Sequence, residues 1–192
     1  VSWPAHHNAP MTALTPWTMA PVTSGPWTVA PEPAGSPDAR ALWAAYYTEV
    51  SDRWFRLHHG SDTPPGELER GIAADDGPEQ LVAPRGLLLV ARLAGRAAGT
   101  AGLALLEPGT AELRRVFVHP SARGERGGSA LMAAVDAAAG VLGATRLVLD
   151  TRHDLVESHR LYERHGFTRI EAYNEGPYAE RWYAKQPAST ES

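Results

Sequence analysis

Residues 111–132 read Ala-Glu-Leu-Arg-Arg-Val-Phe-Val-His-Pro-Ser-Ala-Arg-Gly-Glu-Arg-Gly-Gly-Ser-Ala-Leu-Met. The stretch through Val118 has the pattern of a strand, Gly124 to Gly128 make a tight turn, and a helix starts behind them. Such a junction points several backbone N–H groups at one place, beside the positive end of a helix dipole. A ligand that carries phosphates suits it, held by the N–H groups of residues 124–129.

The flanks set the fold class. After the turn, Leu131, Val135, Ala138 and Leu142 lie on one helix face, and Gly143 ends the helix. Leu147-Val148-Leu149 is a short buried strand, so 111–150 is a strand–helix–strand crossover whose two strands run parallel, with right-handed connection. Residues 155–165 form a second helix stopped by Gly166, and 167–172 and 180–185 are final strands joined by a loop with Asn174, Gly176 and Pro177. Before the turn, residues 86–91 and 97–106 join 111–118 in an antiparallel meander through Ala94-Gly95 and Pro108-Gly109. Ser36-Pro37-Asp38 starts a helix running to about His58, with Leu42, Ala45, Tyr46, Val50 and Trp54 at helical spacing, and Gly66 to Ala74 is a shorter one. These elements predict a mixed α+β fold, a central twisted, mostly antiparallel sheet with helices on both faces.

Pro16-Trp17-Thr18-Met19-Ala20-Pro21 nearly repeats as Pro26-Trp27-Thr28-Val29-Ala30-Pro31. Only the second copy leads directly into a helix, which places the first strand there; two copies do not make a solenoid. Residues 1–25 carry no Asp, Glu, Lys or Arg and read as a flexible Pro/Thr/Ala-rich leader, with Met11 a candidate alternative start. The expected organisation is leader 1–25, one domain over 26–187 and a tail over 188–192.

The chain has 192 residues and a net charge of −4, which gives no electrostatic case for nucleic acid. It has no cysteine, which excludes a disulfide scaffold, a Cys zinc site and a thiol nucleophile and fits a reducing compartment. No apolar run approaches the ~20 residues of a membrane span. There is no Lys or Arg before Arg40, and Pro4, Pro10, Pro16 and Pro21 interrupt any signal-peptide core, so a cytoplasmic location is expected. The eight histidines include no His-Glu-x-x-His, His159 and His165 fall off one helix face, and His6-His7 and His58-His59 lie in leader or loop. No metal is expected from them.

Leu113-Arg114-Arg115-Val116-Phe117-Val118-His119-Pro120, then Arg123-Gly124 and Gly128-Ser129-Ala130-Leu131-Met132, resembles the acetyl-CoA motif of the GNAT superfamily of N-acetyltransferases. Leu161-Tyr162-Glu163-Arg164-His165-Gly166-Phe167 resembles the family's second signature, and the likeness covers residues 26–185. It implies a GNAT acyl-CoA N-acyltransferase fold and transfer of acetyl from acetyl-CoA, as co-substrate and without metal, to a primary amine by direct attack in a ternary complex. The implied partners are a small-molecule or peptide amine, with no nucleic acid and no membrane, and the chain is a monomer or homodimer. The alternatives are a non-catalytic acyl-CoA-binding domain and an acyltransferase for a longer acyl-CoA.

The resemblance also assigns residues. Arg123, Gly124, Glu125, Arg126, Gly127, Gly128 and Ser129 would hold the pyrophosphate. The backbone of Val116, Phe117 and Val118 would pair with the pantetheine as an added strand does, and an N–H near Phe117 or Val118 would bind the thioester oxygen. Tyr162 would protonate the leaving CoA thiolate; its other reading is a tyrosine packed in the core. Glu112 would take the amine's proton; its other reading is a solvated strand-end carboxylate, and Asp150 is a weaker substitute for it. The chain departs from the pattern twice. Arg126 stands at the first glycine of Arg/Gln-x-x-Gly-x-Gly/Ala, where a left-handed conformation would cost about 1–2 kcal/mol unless a phosphate recovers it. Leu155 stands where many relatives carry Asn, which removes one cofactor contact.

Acceptor choice falls to Tyr46, Tyr47, Trp54 and residues 57–66, and to Tyr173, Asn174, Tyr178, Glu180 and Trp182. Near the cleft, His119, His153 and His159 read as surface or packing residues or as proton relays. Lys185 is the single lysine, so it and the N-terminal amine are the only amines open to self-acetylation.

Overall fold

The computed structural model describes residues 18–74 and 77–188. Its elements in chain order are β1 (Val22–Ser24), β2 (Trp27–Pro31), α1 (Pro37–His59), α2 (Pro65–Ala74), α3 (Gly77–Gln80), β3 (Gly86–Leu93), β4 (Arg96–Glu107), β5 (Thr110–Val118), α4 (Gly127–Val141), β6 (Arg146–Thr151), α5 (Val156–Arg164), β7 (Thr168–Ile170) and β8 (Arg181–Lys185). The strands form one sheet in the order β1-β2-β3-β4-β5-β6-β8-β7. Every pairing is antiparallel except β5 with β6, the pair joined through α4 as the crossover requires.

Each sheet face carries its own core. On one face α4 buries Ala130, Leu131, Ala134, Val135 and Ala138 against Leu87, Leu89, Leu103 and Leu147, with Tyr162, Phe167 and Tyr183 alongside. On the other, α1 buries Ala39, Leu42 and Trp43 against Leu88, Val90 and Phe117. Alternate strand residues serve the two faces, which is why residues 86–91 of β3 read as an unbroken apolar run. α1 is set by its ends. The Ser36 hydroxyl accepts from the Ala39 N–H at 3.1 Å, Pro37 opens the first turn, and Gly60 closes the helix at φ 71°.

Two features depart from the expected elements. The composition predicts a leader to residue 25, but Val22–Ser24 pairs with Trp27–Val29 as an edge strand, turning through Gly25 at φ 58°. The strand between the two near-copies thus folds back on the second copy as a hairpin, and Val22 and Met19 pack against the α4 core. The first part of the leader, with Met11, Trp17 and His6-His7, lies outside the described residues. α3 was not anticipated, since four residues are too few to show a period. It delivers Leu81 onto Gly102, where a Cβ would lie 2.6 Å from Leu81 Cδ1.

The sheet splits at one point. β5 and β6 are paired only through Thr110–Arg146, Ala111–Leu147 and Glu112–Val148. Beyond Glu112 they part. On the β4 side, Thr100 faces Phe117 and Gly102 faces Arg114, so Arg115 and Val116 together oppose Ala101. This is a β-bulge, with Arg115 left-handed at φ 52°, and a bulge bends its strand. The Arg115 guanidinium lies 3.9 Å from the centre of a Trp43 ring, a cation–π contact that holds the bent strand onto α1.

Candidate active site

The turn that opens α4 has the expected left-handed geometry. Gly124 has φ 86°, and Arg126, the helix N-cap, has φ 61° and ψ 22°. Glycine adopts this freely; arginine does so at a cost of about 1–2 kcal/mol. The first helical bond runs from Ala130 N–H to Arg126 O at 3.1 Å, so the N–H groups of Gly127, Gly128 and Ser129 precede the ladder. Close packing fixes their direction. A Cβ on Gly127 would lie 2.6 Å from the Trp27 ring, and one on Gly128 would lie 3.0 Å from Leu161 of the second signature. Trp27 Nε1–H also donates to Glu125 O at 2.6 Å, tying the turn to β2.

The other implied phosphate ligands are placed differently. Arg123 Nε donates to Val118 O at 3.0 Å, and its terminal nitrogen reaches both oxygens of Glu49 on α1 at 2.6 and 2.7 Å. Ser129 Oγ meets His165 Nε2 at 3.1 Å. Burial, then the charges of Lys185 and Arg164, hold the His165 imidazole below its ordinary value and therefore neutral. The Glu125 and Arg126 side chains are exposed. Val116 and Val118 are half-buried toward the α4 core, while Phe117 faces α1, edge-on to Tyr46 at 6.1 Å.

At the vertex where β5 and β6 part sits Glu112, 3% exposed and so not the solvated strand-end group of its other reading. Both carboxylate oxygens are engaged. Arg114 donates to Oε2 and also reaches Gln80 of α3, and the Tyr173 hydroxyl donates to Oε1 at 2.7 Å. Burial, then the Glu112 charge, push the Tyr173 phenol well above its ordinary value, so it stays protonated. Asp150, on β6 just past the vertex, accepts from Asn174 Nδ2 at 2.8 Å, and Asn174 Oδ1 accepts from Trp182 Nε1 at 2.7 Å. The loop between β7 and β8 thus closes over the split from the α1 side.

Tyr162 comes from the opposite core. It is 6% exposed, edge-on to Phe167 at 5.8 Å and tilted against Tyr183 at 6.2 Å. Burial raises its pKa strongly, Tyr46 and Asp150 raise it further, and a hydrogen bond with Ser158 opposes them. The phenol therefore keeps its proton at neutral pH.

A polar latch ties the start of α5 to α1. Arg152 grips Asp154 through two bonds of 2.8 and 2.9 Å and donates to Val50 O at 2.8 Å, while Arg53 pairs with Asp154 and Glu157. Leu155 caps α5 without a side-chain bond. His159 is buried against Arg152 O, His153 pairs with Glu180, and His119 meets Ser121. Trp54 stacks with His58 at 4.7 Å and approaches Tyr178 at 6.4 Å, so the aromatic residues of α1 and the β7–β8 loop do meet. Lys185 is 5% exposed in its side chain and paired with Asp136 at 2.7 Å. Among the described residues no group of three or more His, Asp or Glu is placed to hold a metal, and no helix is long and apolar enough to cross a membrane.

Sequence reasoning named Glu112 and Tyr173 but did not join them. They are 61 positions apart, and no local pattern links a strand-opening glutamate to a loop tyrosine. Arg114 and Gln80 were missed as its neighbours. For Arg114 the i, i+2 spacing on one strand face was the available signal.

Comparison with known proteins agrees with this architecture. Residues 40–167 match the family model described as Acetyltransferase (GNAT) family. The chain belongs to the GNAT family of acetyltransferases. An uncharacterized N-acetyltransferase of Schizosaccharomyces pombe is 35% identical over 96 residues, 49% of this chain and 59% of that protein, so the likeness spans little more than half of the relative. The crystal structure of an acetyltransferase from Streptococcus agalactiae superposes with a TM-score of 0.64 at 23% identity, covering 84% of this chain and 98% of the other. A GNAT family acetyltransferase from Elizabethkingia anophelis, solved with acetyl-CoA bound, gives 0.55 at 16% identity over 85% of this chain and 99% of that one. At these identities the two structures show the shared fold.

Proposed function

We propose that this protein transfers the acetyl group of acetyl-CoA to a primary amine by direct attack in a ternary complex. The observation that carries the reading is the split between β5 and β6, which opens directly after Glu112 and leads to the turn whose left-handed residues are Gly124 and Arg126. The N–H groups of residues 124–129 bind the pyrophosphate, and the freed edge of Val116–Val118 pairs with the pantetheine amides. The thioester then lies at the vertex, where a backbone N–H near Phe117 or Val118 meets its oxygen as charge develops. Glu112 accepts the proton that the ammonium must lose, the amine attacks the carbonyl carbon, and the C–S bond breaks. Tyr162, kept neutral by burial, protonates the departing thiolate and regains a proton as the nitrogen loses its second one to become the amide.

Release of free thiol from acetyl-CoA, followed with putrescine, tyramine and a peptide bearing a free α-amine, tests this reading. Turnover with at least one amine, reduced 10²-fold or more by Glu112→Gln and by Tyr162→Phe, is the expected result. Tight binding of acetyl-CoA with no turnover on any amine would favour an acyl-CoA sensor instead.

A further inference from the structure

Glu112 is poorly placed to touch an acceptor. It is 3% exposed, and each of its carboxylate oxygens already receives a hydrogen bond, one from Arg114 and one from Tyr173. Tyr173 is the half-buried end of this network, on the β7–β8 loop that faces the split. We propose that Tyr173 touches the acceptor and relays its proton to Glu112. This rests on the reading of Glu112 as base.

The step balances within three groups. The ammonium N–H proton passes to a lone pair of the Tyr173 oxygen, while the Tyr173 O–H proton passes along the existing 2.7 Å bond to Glu112 Oε1. Tyr173 ends as it began, a neutral phenol. Glu112 becomes a neutral acid, and the amine gains the lone pair with which it attacks. No other reactant is needed. The burial and the Glu112 charge that disfavour phenolate make the two transfers concerted, because neither a phenolate nor a free proton is formed between them. Arg114 on β5 and Asp150 on β6 are the other charged groups acting on Tyr173; Gln80 of α3 holds Arg114, and Asn174 of the same loop holds Asp150. Arg114 thus serves as a positioning residue: it holds Oε2, leaving Oε1 to the phenol.

The test compares wild type, Tyr173→Phe and Glu112→Gln in the thiol-release assay from pH 7 to pH 9.5. It uses the fastest alkylamine and the fastest α-amine peptide of the panel above. An alkylamine has a pKa near 10.4 and an α-amine near 8, so at neutral pH the first depends far more on assisted proton removal. Tyr173→Phe is expected to lower kcat with the alkylamine roughly 10²-fold at pH 7, with the KM for acetyl-CoA unchanged. The deficit should shrink about tenfold per pH unit and be smaller for the α-amine, as neutral amine replaces the lost relay. A deficit equal at every pH and for both amines marks a merely structural role and overturns the relay. So does wild-type activity in Tyr173→Phe while Glu112→Gln is slow. Wild-type activity in Glu112→Gln overturns the base reading itself. Should Tyr173→Phe fail to fold, Glu112→Asp withdraws the carboxylate by one methylene while keeping the phenol, and the same pH pattern is expected of it.

Discussion

Arg126 holds a conformation that favours glycine, at the mouth of the phosphate turn, with its side chain exposed. Its strain of about 1–2 kcal/mol is offset if the guanidinium grips a phosphate, a charged hydrogen bond of about 1.5–3 kcal/mol. Arg126→Gly separates the two effects. Calorimetric melting should show a slight gain in stability, since relieved strain exceeds the ~0.4–1 kcal/mol that glycine adds to unfolded-chain entropy. Titration calorimetry should show acetyl-CoA affinity down tenfold or more. Unchanged affinity would remove Arg126 from the phosphate site. Tyr162→Phe should do the reverse: a lower kcat with acetyl-CoA affinity nearly unchanged. The positions of Arg126 and Tyr162 were legible because each sits inside a local motif. The burial of Glu112 was not, because its partners are Tyr173 from the distant β7–β8 loop and an Arg114 that α3 holds through Gln80.

Among the elements, the helix–strand crossover was readable from glycine stops and apolar spacing, and β5 and β6 are parallel as it requires. The bulge at Arg115 was not readable: one extra residue in a strand has no compositional mark when its neighbours are all strand formers. β1 escaped for a similar reason, three residues of a charge-free segment whose partner is the following near-copy. The contact of β2 with the turn has a measurable consequence. Gly127→Ala drives a methyl to within 2.6 Å of the Trp27 ring unless something shifts. Overpacking of this kind costs about 1–3 kcal/mol. The shift falls on the N–H groups at the start of α4, so both the melting temperature and acetyl-CoA affinity should drop. A variant that melts lower but binds as well as wild type would show that Trp27 supports the fold alone.

Across the whole molecule, polar ties bind α1, β6 and α5 into one body around the split. Burial alone would raise the Asp154 pKa, but the Arg152 hydrogen bond and the charges of Arg152 and Arg53 outweigh it and hold the carboxyl below its ordinary value. A carboxylate lowered by folding contributes stability above its unfolded value, and loses it as pH falls through the folded one. Asp154→Asn should therefore lower the melting temperature at pH 7 and flatten its decline below about pH 4, read from melting curves across that range. Lys185 is the single lysine, yet it is buried against Asp136. Mass spectrometry of folded protein incubated with acetyl-CoA should find no acetyl group on Lys185. The donor site is the claim on which the rest depends, and its most direct test is the melting temperature with acetyl-CoA, with free CoA and with ATP. Both CoA species at ~100 times Kd should add about 2.7 kcal/mol of stability, and ATP should add none. No shift with either CoA species would contradict the donor site and with it the proposed transfer.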